Sequence, residues 1–301
     1  MLGGAIMIRY AFLCCAGLLC FFAGCRTHMR PTESRPTVFV SIVPQKYFVD
    51  HIGGGLVNCL VMVPPGTNVH TFEPRPGQMT ALSNAKAYLA IGLEFEGPWL
   101  PKFAAVAPAM RIVHTDAAVR KIPSEDSDER ATNGSPGLDP HIWLSPRLVK
   151  LQAASIAAAL SSIDTVHAAE YAKNLTGFLA SIDSLDQQLQ GLLPCKGDSA
   201  NAPKKAFLVF HPTWGYFAKE YCLRQVSIEV SGKEPSPRTM KAIVDTARAY
   251  GIRTVFVQPE FSRASALVIA HELGARVLDA DALAYDWKNT LLSVAKRIAE
   301  Q

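Results

Sequence analysis

VHAAEYAKNLTGFLASIDSLDQQLQGLL, Val166 to Leu193, sets the architecture that the rest of the chain has to satisfy. Leu175, Phe178, Leu179, Ile182, Leu185, Leu189 and Leu192 recur every three or four residues. That is the helical period, and at 1.5 Å per residue the span would extend about 42 Å. A helix of that length exceeds what compact domains commonly use, and two helices broken near Gly177 are the alternative. The composition shifts after Leu193, which suits a single helix connecting two units. The reading that follows is an N-terminal lobe at 37–165, a linking helix at 166–193 and a C-terminal lobe at 194–301.

On either side of that helix, strand and helix signals alternate. Thr37–Val43 (TVFVSIV) reads as a buried strand, with a helix from about Gln45 that Gly53-Gly54-Gly55 ends as a C-cap. Leu56–Val63, Ala87–Leu93 and Arg111–His114 follow as strands, with Gln78–Ala85 helical between them. Another helix is expected from Arg147, with Ser145 as N-cap and Pro146 at the first turn. Beyond the long helix, Lys205–Phe210, Gln225–Val230, Thr254–Gln258 and Arg276–Leu278 read as strands, separated by helices at Tyr216–Leu223, Pro237–Tyr250 and Ser262–Leu273. Such alternation is the signature of parallel α/β sheets, so the expected fold is α/β, two Rossmann-like lobes joined by one long rigid helix.

With 301 residues, 49% of them apolar, the chain can bury two cores. The formal net charge is +4 with the charges interspersed, so no basic stripe points to nucleic acid. Arg9 precedes the uncharged run Tyr10–Ala23, which is too short to span a bilayer and reads as a signal peptide, with 1–24 as leader and 25–36 as tether. Phe22-Ala23-Gly24-Cys25 resembles a bacterial lipobox in which Cys25 carries lipid, although Phe22 departs from the usual aliphatic residue; an ordinary cleaved leader is the alternative. Cys59, Cys195 and Cys222 then remain, an odd count that allows one disulfide at most. Cys195 and Cys222 can pair in an oxidising compartment, and two buried thiols are an equal alternative.

Three of the eight histidines share one local setting. His70 follows a strand and Pro64-Pro65-Gly66, His141 follows Asp139-Pro140, and His211 directly follows a strand and precedes Pro212. Ligands of open α/β sheets bind beyond the carboxyl ends of the strands, where these positions fall. Imidazole suits zinc and other late first-row divalent ions, and the neighbouring prolines stiffen the mounts. His28, His51, His114, His167 and His271 lack that setting and read as ordinary tether, helix or strand-end residues. Glu73, Glu234 and Glu260 are expected in structural or orienting roles, with Glu73 the one near enough in sequence to orient a ligand. Trp143 and Trp214 read as core.

PPGTNVHTFEP, DPHIWLSP, FHPTWGYFAKEY and GKEPSP, in that order, resemble the metal-binding subunits of bacterial zinc and manganese ABC importers. The resemblance runs from Thr37 to the C-terminus. It implies a site in the interlobe cleft with His70 and His141 from the first lobe, His211 from the second and an acidic fourth ligand in Leu278–Leu283. Asp281 fits that place best, with alanine where the family has proline, and Asp279 is its rival. Histidine at the third position favours zinc over manganese as cargo, whereas the acidic, histidine-free loop Lys121–Leu138 speaks against zinc alone. What the resemblance implies is a lipid-anchored, monomeric, periplasmic or cell-surface protein that hands its ion to an ABC permease. Rivals are a manganese or iron importer subunit, an adhesin lipoprotein and a zinc hydrolase. The hydrolase would need an open coordination position and a general base, and no HExxH occurs.

Overall fold

Each half of the chain builds a four-stranded parallel sheet, and both sheets have the same strand order. The computed structural model describes residues 35–124, 137–195, 205–230 and 233–301. The leader, Cys25, nearly all of the tether and most of the Lys121–Leu138 loop lie outside the described residues. The first sheet holds β1 (Thr37–Val40), β2 (Asn58–Val61), β3 (Ala87–Ala90) and β4 (Arg111–His114) in the order β2-β1-β3-β4. The second holds β5 (Ala206–Val209), β6 (Arg224–Ser227), β7 (Thr254–Val257) and β8 (Arg276–Asp279) in the order β6-β5-β7-β8. Val40 stands opposite Val61 and Leu89, and Val209 opposite Ser227 and Phe256, so the carboxyl ends of each sheet finish together. Strands β3, β5 and β7 are buried throughout, while the edge strands β4 and β8 expose both terminal residues. That contrast is what a parallel sheet covered on both faces requires of its centre and its margin.

Nine helices occur among the described residues. They are α1 (Val43–Gly53), α2 (Pro76–Leu82), α3 (Glu96–Val106), α4 (Pro146–Ile163), α5 (Ala168–Leu192), α6 (Gly215–Glu220), α7 (Pro237–Ala249), α8 (Ala264–Leu273) and α9 (Trp287–Ala299). Ser145 caps α4 through its hydroxyl, which accepts the Leu148 N–H, and Gly54 ends α1 at φ +56°, a backbone that disfavours any side chain. β1 is shorter than its sequence pattern suggested, because Ser41 and Ile42 already turn the chain into α1. Helices α3 and α9 have no counterpart in the sequence reading. Pro98 sits in the first turn of α3, but Pro101 inside it removes a helical N–H, which disguises the segment as a loop.

The long helix is one piece. α5 runs unbroken through Gly177 for 25 residues, about 38 Å, entered by a 3-10 turn at Thr165–His167. Its buried stripe is Tyr171, Phe178, Ile182, Leu185 and Leu189. A single apolar core extends from the first sheet across α5 to α9 and to the inner face of the second sheet, where it takes in Phe207, Val209 and Phe256. Ala206, Leu208 and Phe210 point the other way, into a separate core under α7 and α8. The period-two alternation of β5 thus sends every second residue into the mass shared by both halves. Trp287 adds to it by packing edge-on against Phe48 of α1, with ring centroids 5.2 Å apart. A shared core of this kind resists hinge opening, because separating the halves would expose it. Cys195, just beyond α5, is joined to Cys222 in a disulfide (Cα–Cα 5.4 Å), and Cys59 is a buried free thiol.

Candidate metal centre

The three histidines singled out by their setting come together. One ring nitrogen from each of His70, His141 and His211 lies within 4.8 Å of the others, and these are the only such group of metal-binding side chains among the described residues. Ring centroids stand 5.6 Å apart for His70 and His141, 4.9 Å for His70 and His211, and 5.4 Å for His141 and His211. The Nε2 atoms of His70 and His211 are 3.1 Å apart. His211 leaves the end of β5, His141 opens the 3-10 turn Ile142–Leu144 ahead of α4, and His70 hangs from the loop between β2 and α2. His141 and His211 are buried and His70 is partly so.

Each imidazole is held from behind by a carboxylate. His70 Nδ1 donates to Glu94 Oε2 at 3.0 Å, His141 Nδ1 to Asp139 Oδ1 at 2.8 Å, and His211 Nδ1 to Glu229 Oε1 at 3.3 Å. With Nδ1 so occupied, the Nε2 lone pair of each ring is the one free to meet a cation, and the carboxylate raises its basicity. Backbone contacts set the same poses: Asn68 Oδ1 accepts the His70 N–H at 2.9 Å, and Asp139 Oδ1 the His141 N–H at 2.9 Å. Burial would raise the Glu94 carboxyl, but the hydrogen bond and charge of His70 outweigh it and hold it at about 2. Burial pushes His211 the other way, to about 4, with the neighbouring His141 and His70 adding to the effect. His211 is therefore neutral, and ready to bind, at any pH near neutrality.

The centre occupies a pocket at the carboxyl ends of both sheets. His70, His141 and Trp143 line it from one side, and His211, Thr213, Gln258, Glu260, Phe261 and Leu283 from the other. Trp143 is fully buried, as expected of a core residue, and it also ties the halves together. Its indole N–H donates to the Ala282 carbonyl at 2.8 Å, and its own carbonyl accepts the Trp287 indole N–H at 2.6 Å. Tyr216 of α6 donates to the Asp139 carbonyl at 2.8 Å, so the loop carrying His141 is fastened to the half that carries His211.

Asp281 stands outside the 4.8 Å group. It is partly buried in the turn after β8, where its Oδ1 accepts the Leu283 N–H at 2.8 Å, and burial raises its carboxyl above the usual range. Asp279 faces outward and pairs with Arg263 at 2.8 Å. Glu73, expected to orient His70, is exposed, and Glu94 holds His70 instead. Sequence distance misled here, because Glu94 lies on the β3 side of the same sheet edge. Neither Glu94 nor Glu229 stands out in the sequence, and Asp139 does so only as part of the DPH motif. The available signal was an acid just past a strand end, as at Leu93-Glu94 and Ile228-Glu229. His51 and His271 lie in α1 and α8, His167 in the turn before α5, and His114 ends β4, all away from the centre.

The family described as zinc-uptake complex component A, periplasmic (ZnuA), matches residues 38–301. A ZnuA crystal structure superposes with a TM-score of 0.81 at 43% identity, covering 89% of this chain and 99% of the other. A ZnuA deletion mutant solved with zinc bound gives 0.79 at 41% identity, covering 88% and 97%. The high-affinity zinc uptake system protein ZnuA of Bacillus subtilis is 26% identical over 225 residues, 72% of this chain and 68% of its own length.

Proposed function

Because the chain belongs to the ZnuA family of periplasmic zinc-uptake components, we propose that it captures a divalent ion, zinc foremost, outside the cytoplasm and delivers it to the permease of an ABC importer. The observation that carries this reading is the convergence of His70, His141 and His211, each with its Nδ1 already engaged by a carboxylate. Three imidazole nitrogens form a face that suits zinc, and Asp281, in preference to Asp279, closes the coordination once its turn adjusts around the ion. Four protein donors leave no position for a reacting water, so the site is one for binding and not for catalysis. The lobes at 37–165 and 194–301 each contribute, and the helix between them keeps release local, through the Asp281 turn or contact with the permease. Cys25 would anchor the chain, as a monomer, to the membrane through its lipid.

Calorimetric titration of the purified, chelator-stripped chain with zinc tests this reading beside the His70→Ala/His211→Ala double variant. One tight site per chain, lost in the variant, is the expected result. Absence of tight zinc binding by the unmodified chain would overturn it.

A further inference from the structure

The turn after β7, Gln258-Pro259-Glu260-Phe261, is clamped onto His211. Gln258 Nε2 donates to the His211 carbonyl at 3.0 Å, and the His211 N–H donates back to Gln258 Oε1 at 3.4 Å. The Phe261 ring stacks on the His211 imidazole, with centroids 4.8 Å apart and planes 22° from parallel. Glu260 lies between these two fixed residues and lines the pocket that holds the three imidazoles. Its Oε1 is shielded from solvent and finds no hydrogen-bond partner among the described residues. A shielded carboxylate oxygen without a donor is costly, and a cation is the group that would satisfy it. Glu94, Asp139 and Glu229 are each committed to a histidine ring, so Glu260 is the pocket acid without such a task. Burial raises its carboxyl above the usual range, and the nearby charge of Asp281 does so further.

Resting on the function proposed above, we infer that Glu260 is a further oxygen donor to the bound ion and sets how well the pocket holds manganese relative to zinc. Like Asp281, Glu260 stands outside the 4.8 Å imidazole group, so its side chain must turn toward the ion to add an oxygen beyond the three nitrogens and the Asp281 carboxylate. Zinc is satisfied by four donors, whereas manganese takes more, and prefers oxygen. Removing Glu260 therefore weakens manganese more than zinc.

The test measures zinc and manganese affinities by chelator competition for the wild-type chain and for Glu260→Gln, Glu260→Ala and Glu260→Asp. Visible spectra of the cobalt-loaded proteins report coordination number independently of affinity. Expected are a loss of about tenfold or more in manganese affinity for the Gln and Ala variants, a much smaller change for zinc, and partial recovery in Glu260→Asp. The cobalt bands should intensify as the ion falls to four donors. Equal losses for both ions, unchanged manganese affinity, or a wild-type chain that takes zinc but no manganese would each overturn the inference while leaving the proposed function standing. A wild-type chain that binds neither ion would overturn both.

Discussion

Replacing Trp143 by phenylalanine probes the join between the halves without replacing a ligand, and keeps an aromatic ring beside His141. The indole N–H donates to the Ala282 carbonyl at 2.8 Å in a place with almost no access to water, since Trp143 is 1% and Ala282 5% exposed. Phenylalanine keeps the benzenoid ring but removes that donor, at a cost of about 1–3 kcal/mol for the carbonyl left behind. The missing ring atoms leave a small void, adding about 1 kcal/mol. The Trp287 bond to the Trp143 carbonyl is made by backbone and survives the change. The sum, about 2–4 kcal/mol, is a large share of the stability of a typical domain, about 5–15 kcal/mol. Urea unfolding of the metal-free chain measures it. Zinc affinity should fall as well, because Ala282 and Leu283 line the pocket and Ala282 adjoins Asp281. A Trp287→Phe variant, combined with the first, should show coupling, since both tryptophans act on one junction. A loss below about 1 kcal/mol, with zinc affinity unchanged, would refute the view that this junction holds the halves together.

Asp139→Ala should cost about 10–100-fold in zinc affinity, because it frees both the His141 ring and its backbone N–H, while Asp139→Asn should cost less; competition titration decides. His211 makes the metal-free chain acid-sensitive. Its folded pKa of about 4 lies below the unfolded value of about 6.5, so the unfolded chain holds more protons in that window, and stability is full above 6.5 and lost as the pH falls toward 4. The loss amounts to about 3 kcal/mol, and a pH series of unfolding midpoints should show a shallower slope for His211→Leu. Cys195→Ser/Cys222→Ser opens a loop with a sequence separation of 27 and should lower stability by about 2–4 kcal/mol. Calorimetry should still count one zinc per chain in that variant, since neither sulfur belongs to the histidine group.

The parts of this protein that local chemistry dictates were legible in its sequence. The apolar stripe of Leu175 to Leu192 favours one long helix over two broken near Gly177, and α5 is unbroken there, because a 3.6-residue period repeated over about five turns outweighs a single weak residue. Strand β4 matches its sequence pattern to the residue, and Ser145 is the N-cap its sequence predicts for α4, since a cap and its first turn are settled within four residues. His70, His141 and His211 stood out because each follows a strand or a proline turn that fixes its exit. What tertiary structure alone decided was which groups face those rings. Glu94 and Glu229 reach them across strand ends that the sheet orders β2-β1-β3-β4 and β6-β5-β7-β8 bring to one edge, whereas Asp139 lies only two residues from His141 and meets it locally. The same holds for Glu260, which the packing of Phe261 on His211 carries to the pocket. Spacing along a chain records periods and caps, whereas contacts between residues about 140 positions apart, such as Trp143 with Ala282, are set by how the two sheets share one core.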